Sequence, residues 1–372
     1  MIKVMTVFGT RPEAIKMAPL VLALDKAEGI DSKVCVTAQH RQMLDQVLEI
    51  FGITPDFDLD IMQAGQTLEG ITTRALEGLC RVMREEKPDI VLVHGDTTTT
   101  FAGALAAFYS GAAVGHVEAG LRTFDKWSPF PEEMNRRLTG VISDLHFAPT
   151  EKNRENLLRE GVAPEKIMIT GNTVIDALRT TVKSTYPFKD KTLAEMPWEE
   201  KRVILMTAHR RENLGEPMHQ IMRAVRRIAE EFADVEIVYP VHLNPAVRQV
   251  AHEILGQVAR VHLIEPLDVQ ELHNAMNRSY MVMTDSGGLQ EEAPSLGKPV
   301  LVLRTETERP EAVEAGTVKI AGVNEDTIYS MAKTLLTDQA AYEKMAKAVN
   351  PYGDGNASAR IVKAIIENFG RN

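Results

Sequence analysis

TDSGGLQEEAPSLGKP, residues 284–299, follows the apolar segment 280–283 and runs into a helical pattern from about Leu289. A buried strand, a tight glycine turn and a helix N-terminus follow one another here. Gly287 and Gly288 carry no β-carbon, so the backbone turns sharply and its N–H groups can approach a ligand, beside the partial positive charge of the helix start. Such a place suits a phosphate. Ser286 can donate its hydroxyl, and Glu291 and Glu292, one helical step on, can accept from the diol of a ribose. Together they describe a nucleoside diphosphate site. A helix capped by Asp285 or Ser286 behind a Gly-Gly turn accounts for the same residues equally well.

Outward from this unit, short apolar strands alternate with helical segments in both directions. In the first half, 3–7, 33–37, 90–94, 113–117 and 145–148 read as strands, with helices at 13–27, 43–51, 68–87 and 101–110 between them. The alternation restarts with strands at 203–206, 236–239, 261–264, 280–284 and 299–303. Alternation of this kind specifies an α/β fold, a parallel sheet wrapped by helices. Two doubly wound domains are expected, residues 1–183 and 201–356, joined by a polar, proline-containing linker at 184–200. The last helical pattern, within 357–372, follows the turn-rich NPYGDGNAS and is expected to pack back on the first domain.

The 372 residues and 44% hydrophobic content are ample for two cores. A net charge of −10 with interspersed signs offers no basic face for nucleic acid, so a small anion must be held by local arginines. Cys35 and Cys80 lack metal or redox spacing, and their scarcity fits a reducing cytoplasm. Neither a signal peptide nor a bilayer-spanning run is evident, so a cytoplasmic protein is expected.

The unusual polar motifs sit just after the strands, where open parallel sheets bind ligands. In FGTRPEAIK, Gly9 permits a turn, Pro12 starts a helix, and Arg11 and Lys16 project toward its N-terminal end, an arrangement that suits an anion or simply a solvated helix start. No GxGxxG or P-loop opens either domain, which leaves nicotinamide and ATP unsupported. HGDTTTT puts Asp96 at a strand end, followed by threonines able to cap the next helix. No DxD pair offers a metal site, so Arg11, Arg122 and Arg309 are expected to stabilise leaving-group charge. GHVEAGLRT carries Glu118, and PEEMNRR places Glu132 and Glu133 at a helix start, where the helix dipole alone accounts for acidic residues. If Asp96, Glu118 and Glu132 share one cleft, their repulsion should raise at least one pKa. TAHRREN sets His209 beside Arg210 and Arg211 after a strand, as an anion ligand or proton carrier. His242 in YPVHLNP carries a weaker signal, and His94, His116, His146, His252, His262 and His273 show no metal-ligand spacing.

FGTRPEAIKMAP, HGDTTTT, GHVEAGLRT, PEEMNRR, TAHRREN, TDSGGLQEEAPSLGKP and TERPE, in this order over nearly the whole chain, resemble the non-hydrolysing UDP-N-acetylglucosamine 2-epimerases of bacteria. The resemblance implies a GT-B-like fold with the active site in a cleft between two Rossmann-like domains, no metal or cofactor, and a homodimer. It implies reversible conversion of UDP-GlcNAc to UDP-ManNAc for surface polysaccharides. By family pattern, Arg11, His209, Ser286, Gly287, Gly288 and Arg309 match diphosphate ligands and Glu292 the ribose ligand. Lys16, Asp96, Glu118 and Glu132 match residues implicated in catalysis, with His209 alongside them. Gln39, His40, Gln42, Gln66, Arg211 and His242 match a second site where UDP-GlcNAc acts as activator. Two departures stand out: RTETERPE where the family has RDTTERPE, and Gly65 where relatives often carry a basic residue.

The C2 proton of N-acetylglucosamine lies beside no carbonyl, so inversion there needs oxidation or elimination. UDP at C1 is a good leaving group. Its loss with the C2 proton gives a bound 2-acetamidoglucal, to which UDP re-adds after protonation on the other face. A hydrolysing epimerase that releases free ManNAc, a GT-B glycosyltransferase and a silent UDP-sugar sensor are the alternatives.

Overall fold

The computed structural model describes residues 1–370. The chain forms two compact units, one of Met1–Thr180 with the chain from Tyr352 onward, the other Thr181–Pro351.

The chain opens with β1 (Ile2–Phe8), α1 (Arg11–Asp25), β2 (Ile30–Val36), α2 (Arg41–Phe51), β3 (Phe57–Asp58), α3 (Leu68–Glu86), β4 (Ile90–His94) and α4 (Thr98–Ser110). It continues with β5 (Ala113–Val117), α5 (Glu132–Ile142), β6 (Leu145–Ala148), α6 (Glu151–Arg159), β7 (Ile167–Ile169) and α7 (Thr173–Thr181). All seven strands are parallel, in the order β3-β2-β1-β4-β5-β6-β7. The strand alternation sorts the core onto two faces: Val4 and Phe8 join one cluster with Leu20 and Leu24, while Met5 and Val7 join another with Val91 and Val93.

Beyond α7 come α8 (Lys191–Glu195), β8 (Arg202–Thr207), α9 (Glu216–Glu231), β9 (Val235–Pro240), α10 (Pro245–Leu255), β10 (Val261–Ile264), α11 (Val269–Arg278) and β11 (Met281–Thr284). Then follow α12 (Gly287–Ser295), β12 (Val300–Val302), α13 (Pro310–Glu314), β13 (Val318–Ile320), α14 (Glu325–Thr337) and α15 (Gln339–Ala346). These six strands are also parallel, in the order β10-β9-β8-β11-β12-β13. Their core gathers Met206, Tyr239, Met283 and Leu301 with Ile221 and Val225 of α9. The two sheets with their alternating helices make two Rossmann-like domains of the GT-B-like class.

In each sheet the strand order reverses once, between β1 and β4 and between β8 and β11. Chain leaving the carboxyl ends of strands at such a reversal diverges to opposite faces and opens a crevice. The segments after β1 and β4 carry Arg11 and Asp96; those after β8 and β11 carry His209 and Ser286.

α16 (Ala357–Phe369) belongs to the first unit and packs on α1, burying Ile361 and Ile365 completely. Each such side chain contributes about 1.5–3 kcal/mol. The last two residues of the span 357–372 lie outside the described residues. Residues 184–200, expected as a linker, lie within the second unit and are tied down there. Phe188 stacks on Trp198 with centroids 5.6 Å apart, the Trp198 indole donates to Leu193 O at 3.0 Å, and the Lys189 N–H donates to Glu271. Among the described residues no helix is long and apolar enough to cross a membrane.

Candidate active site

In the first unit, the turn after β1 exists only because residue 9 is glycine: a β-carbon there would fall 1.9 Å from Thr37 Oγ1. Glu13 then fastens this turn to the one after β4. Its Oε2 accepts from the N–H groups of Gly9 and Thr10 (3.1 and 2.8 Å) and from Thr10 Oγ1 (2.7 Å). The other oxygen, Oε1, accepts from Thr97 Oγ1 at 2.8 Å and Thr100 Oγ1 at 3.3 Å. Burial pushes this carboxyl above its ordinary pKa against the pull of those donors. Arg11 and Asp96 thus flank a common buried brace. Sequence reasoning passed over Glu13, although Thr10-x-x-Glu13 is a capping-box spacing and the box forms.

One turn into α1, Lys16 pairs with Glu118, whose Oε2 also accepts from Asn172 Nδ2 at 3.0 Å and lies 3.5 Å from His94 Nε2. Glu118 adopts φ +62°, a left-handed conformation that costs a non-glycine residue about 1–3 kcal/mol and is kept where the surroundings enforce it. Burial alone would raise its pKa; the charge of Lys16, followed by that of His94, outweighs burial and holds it well below the usual carboxylate range. Asp96 has a cation of its own. Arg136 donates to its Oδ2 from Nε and Nη2, at 2.9 and 2.7 Å, and Asn135 Nδ2 holds its backbone oxygen at 2.9 Å.

Mutual repulsion was expected to lift one of Asp96, Glu118 and Glu132. Glu118 moves the other way, because Lys16 reaches it from another element, and the carboxyl that rises is Glu13. The adjacent acids at the start of α5 divide. Glu132 opens the helix half-buried, while Glu133 is fully buried and accepts from Thr123 N, Phe124 N and Arg136 Nη1 at 3.1, 3.1 and 3.3 Å. Arg122 does not serve a leaving group: its side chain is wholly buried and donates to both oxygens of Glu160, at 2.9 and 2.8 Å.

Of the residues matched to the activator site, Gln39 and Gln66 meet in this unit, Gln66 Nε2 donating to Gln39 O at 3.2 Å while Thr99 Oγ1 donates to Gln39 Oε1 at 3.0 Å. His40 occupies the N-cap of α2 and Gln42 lies exposed in its first turn. Gly65 sits at φ +64°, which a basic residue would adopt only under strain.

The second unit is built from backbone more than from side-chain pairs. Asp285 Oδ2 accepts from His209 N and Arg210 N, both at 2.8 Å, and from Asn213 Nδ2 at 3.0 Å, shaping the turn after β8. His209 stacks on His242 with centroids 5.0 Å apart. Burial pushes the His209 imidazole below its ordinary pKa, Asp285 opposing and His242 adding to the shift. Arg211 lies exposed just beyond, and His242 Nδ1 accepts from Asn244 N at 3.1 Å.

Ser286 stands at the N-cap of α12, yet its hydroxyl makes no capping bond and Asp285 is committed to the other turn, so simple capping does not explain these residues. At Gly287 a β-carbon would lie 3.0 Å from the Arg309 guanidinium carbon; at Gly288 it would lie 3.1 Å from Glu292 Oε1. The glycines let a cation and a carboxylate lie against the helix start. Arg309 is aimed by Glu291 at 2.8 Å and Glu308 at 3.1 Å, while Glu292 faces His273 Nε2 at 3.2 Å. Glu291, expected to meet a ribose, instead orients Arg309. Backbone amides, a helix N-terminus and a held guanidinium are the elements that suit an anion, with a carboxylate one turn away. Among the described residues no His, Cys, Asp and Glu cluster could hold a metal ion.

The family model for UDP-N-acetylglucosamine 2-epimerase matches residues 22–366. A UDP-N-acetylglucosamine 2-epimerase of Bacillus subtilis is 63% identical over 371 residues, covering 99% of this chain and 96% of that protein. Among solved structures, the S. aureus MnaA–UDP complex superposes with a TM-score of 0.90 at 54% identity, covering 99% of this chain and 97% of the other. The Neisseria meningitidis UDP-GlcNAc 2-epimerase bound to UDP-GlcNAc gives a TM-score of 0.89 at 52% identity, covering 99% and 100%. Identity of this order along the full length, on top of a shared two-sheet architecture, places the chain in the UDP-N-acetylglucosamine 2-epimerase family.

Proposed function

We propose that the chain interconverts UDP-GlcNAc and UDP-ManNAc by the non-hydrolysing route. The C2–H and C1–O bonds break, the proton passes to a carboxylate, and UDP leaves with the C1–O electrons, giving 2-acetamidoglucal. Protonation at C2 from the opposite face and return of UDP to C1 complete the inversion. Ser286, Gly287, Gly288 and Arg309, with Arg11 and His209, hold the diphosphate, and Glu292 holds the ribose. Asp96, Glu118 and Glu132 move protons, with Lys16 balancing their charge. UDP and UDP-GlcNAc in the S. aureus and Neisseria structures support the ligand class.

The observation that carries this reading is a pair of carboxylates held by separate cations, Glu118 by Lys16 and Asp96 by Arg136. Proton transfer on two faces needs two such groups in different environments. A second UDP-GlcNAc bound by Gln39, His40, Gln42, Gln66, Arg211 and His242 acts as activator. The enzyme works as a cytoplasmic homodimer and feeds cell-surface polysaccharide synthesis.

Incubation with UDP-GlcNAc alone in deuterated water tests the route. UDP-ManNAc carrying deuterium at C2, with no free sugar, is expected. Unlabelled product eliminates the glucal, and free ManNAc with UDP identifies a hydrolysing enzyme.

A further inference from the structure

His94 ends β4 immediately before Gly95 and Asp96, and only 3% of it is exposed. Neither of its ring nitrogens has a hydrogen-bond partner among the described residues, which is costly for a buried imidazole with no structural duty. Its Nε2 is aimed at Glu118 Oε2 and stops at 3.5 Å. Lys16 and Asn172 already hold that same oxygen. Oε1 has none of these contacts and points toward the Gly95 turn, 3.9 Å from where a β-carbon on Gly95 would stand.

We propose that His94 is a positioning residue for Glu118: with Lys16 and Asn172 it fixes Oε2, turning Oε1 to the substrate. The proposal deepens the reading of Glu118 as a proton carrier and rests on it. The charged and titratable groups around His94 are Glu118 after β5, Lys16 and Glu13 on α1, and His116 on β5. The gap at Nε2 can close into a hydrogen bond when ligand tightens the site.

His94→Phe removes the polar contact with Glu118, and His94→Gln keeps a neutral donor near the place of Nε2. In His94→Phe, kcat should fall roughly 10- to 100-fold while the KM for UDP-GlcNAc changes by less than about threefold. His94→Gln should recover much of kcat. A His94→Phe enzyme with wild-type kcat, a loss carried by KM, or a His94→Gln enzyme as slow as His94→Phe overturns the proposal. Should His94→Phe fail to fold, His94→Leu takes its place in the same comparison. Glu118→Gln run alongside separates the two ideas. If it turns over normally, the reading of Glu118 fails; if it is inactive while His94→Phe runs at the wild-type rate, only the role of His94 fails.

Discussion

The first unit sets its functional groups with buried ion pairs, the second with backbone. Lys16 holds the Glu118 carboxyl below its ordinary pKa, and Arg136 grips Asp96 through Nε and Nη2. Around Asp285 and the two glycines, by contrast, charge is used to aim amide groups and one guanidinium. Tuning a proton affinity needs low dielectric and a partner charge, whereas gripping a diphosphate needs donors fixed beforehand. Damage to the first unit should therefore appear in turnover, and damage to the second in affinity.

The largest effect expected is at Glu118. Glu118→Gln should lower kcat roughly 1000-fold, with UDP affinity by calorimetry within about threefold of wild type. A proportional loss of affinity would make Glu118 a ligand and erase the contrast. Glu13→Gln comes next. It replaces one charged acceptor of the brace with an amide and should cost about 2–3 kcal/mol in denaturant unfolding.

Acid should distinguish the units as well. Burial lowers His116 to about 3 and His146 to about 4, so both stay neutral in the folded chain, while unfolded histidine binds a proton below about 6.5. Their contribution to stability is complete above that value and declines as pH falls toward 4 and then 3. At pH 5 His116 alone should cost about 2 kcal/mol. Protection factors over β5 and β6, corrected for the intrinsic exchange rate at each pH, should fall on acidification before those over β8 and β11, and His116→Gln should flatten the slope. Smallest is Gly287→Ala, whose β-carbon crowds the Arg309 guanidinium. A loss of UDP affinity of about tenfold, with kcat at saturation little changed, is expected.

Strands β4, β5, β6 and β10 are legible in sequence to the residue, because apolar runs there end at glycine, proline or acidic breakers. Edge strands β3, β7 and β13, two or three residues long, leave no periodicity to read. Within the site, glycine and loop motifs locate Ser286, Asp96 and Glu118 near strand ends, whereas partnerships across the fold stay hidden. Arg122 reads as a free loop cation until Glu160, 38 residues on, is placed against it. Glu291 and Glu292 are alike in sequence, and only helical rotation sends one to Arg309 and the other to His273. The pKa of Glu118 falls rather than rises because Lys16 lies 102 residues away in sequence.

One consequence follows from the return of α16 to the first unit. Ile361 and Ile365 cover apolar surface of α1, so a protein truncated before Tyr352 would leave that surface bare to water. During synthesis the second unit leaves the ribosome whole, while the N-terminal sheet must wait for the final helix before its outer layer is complete.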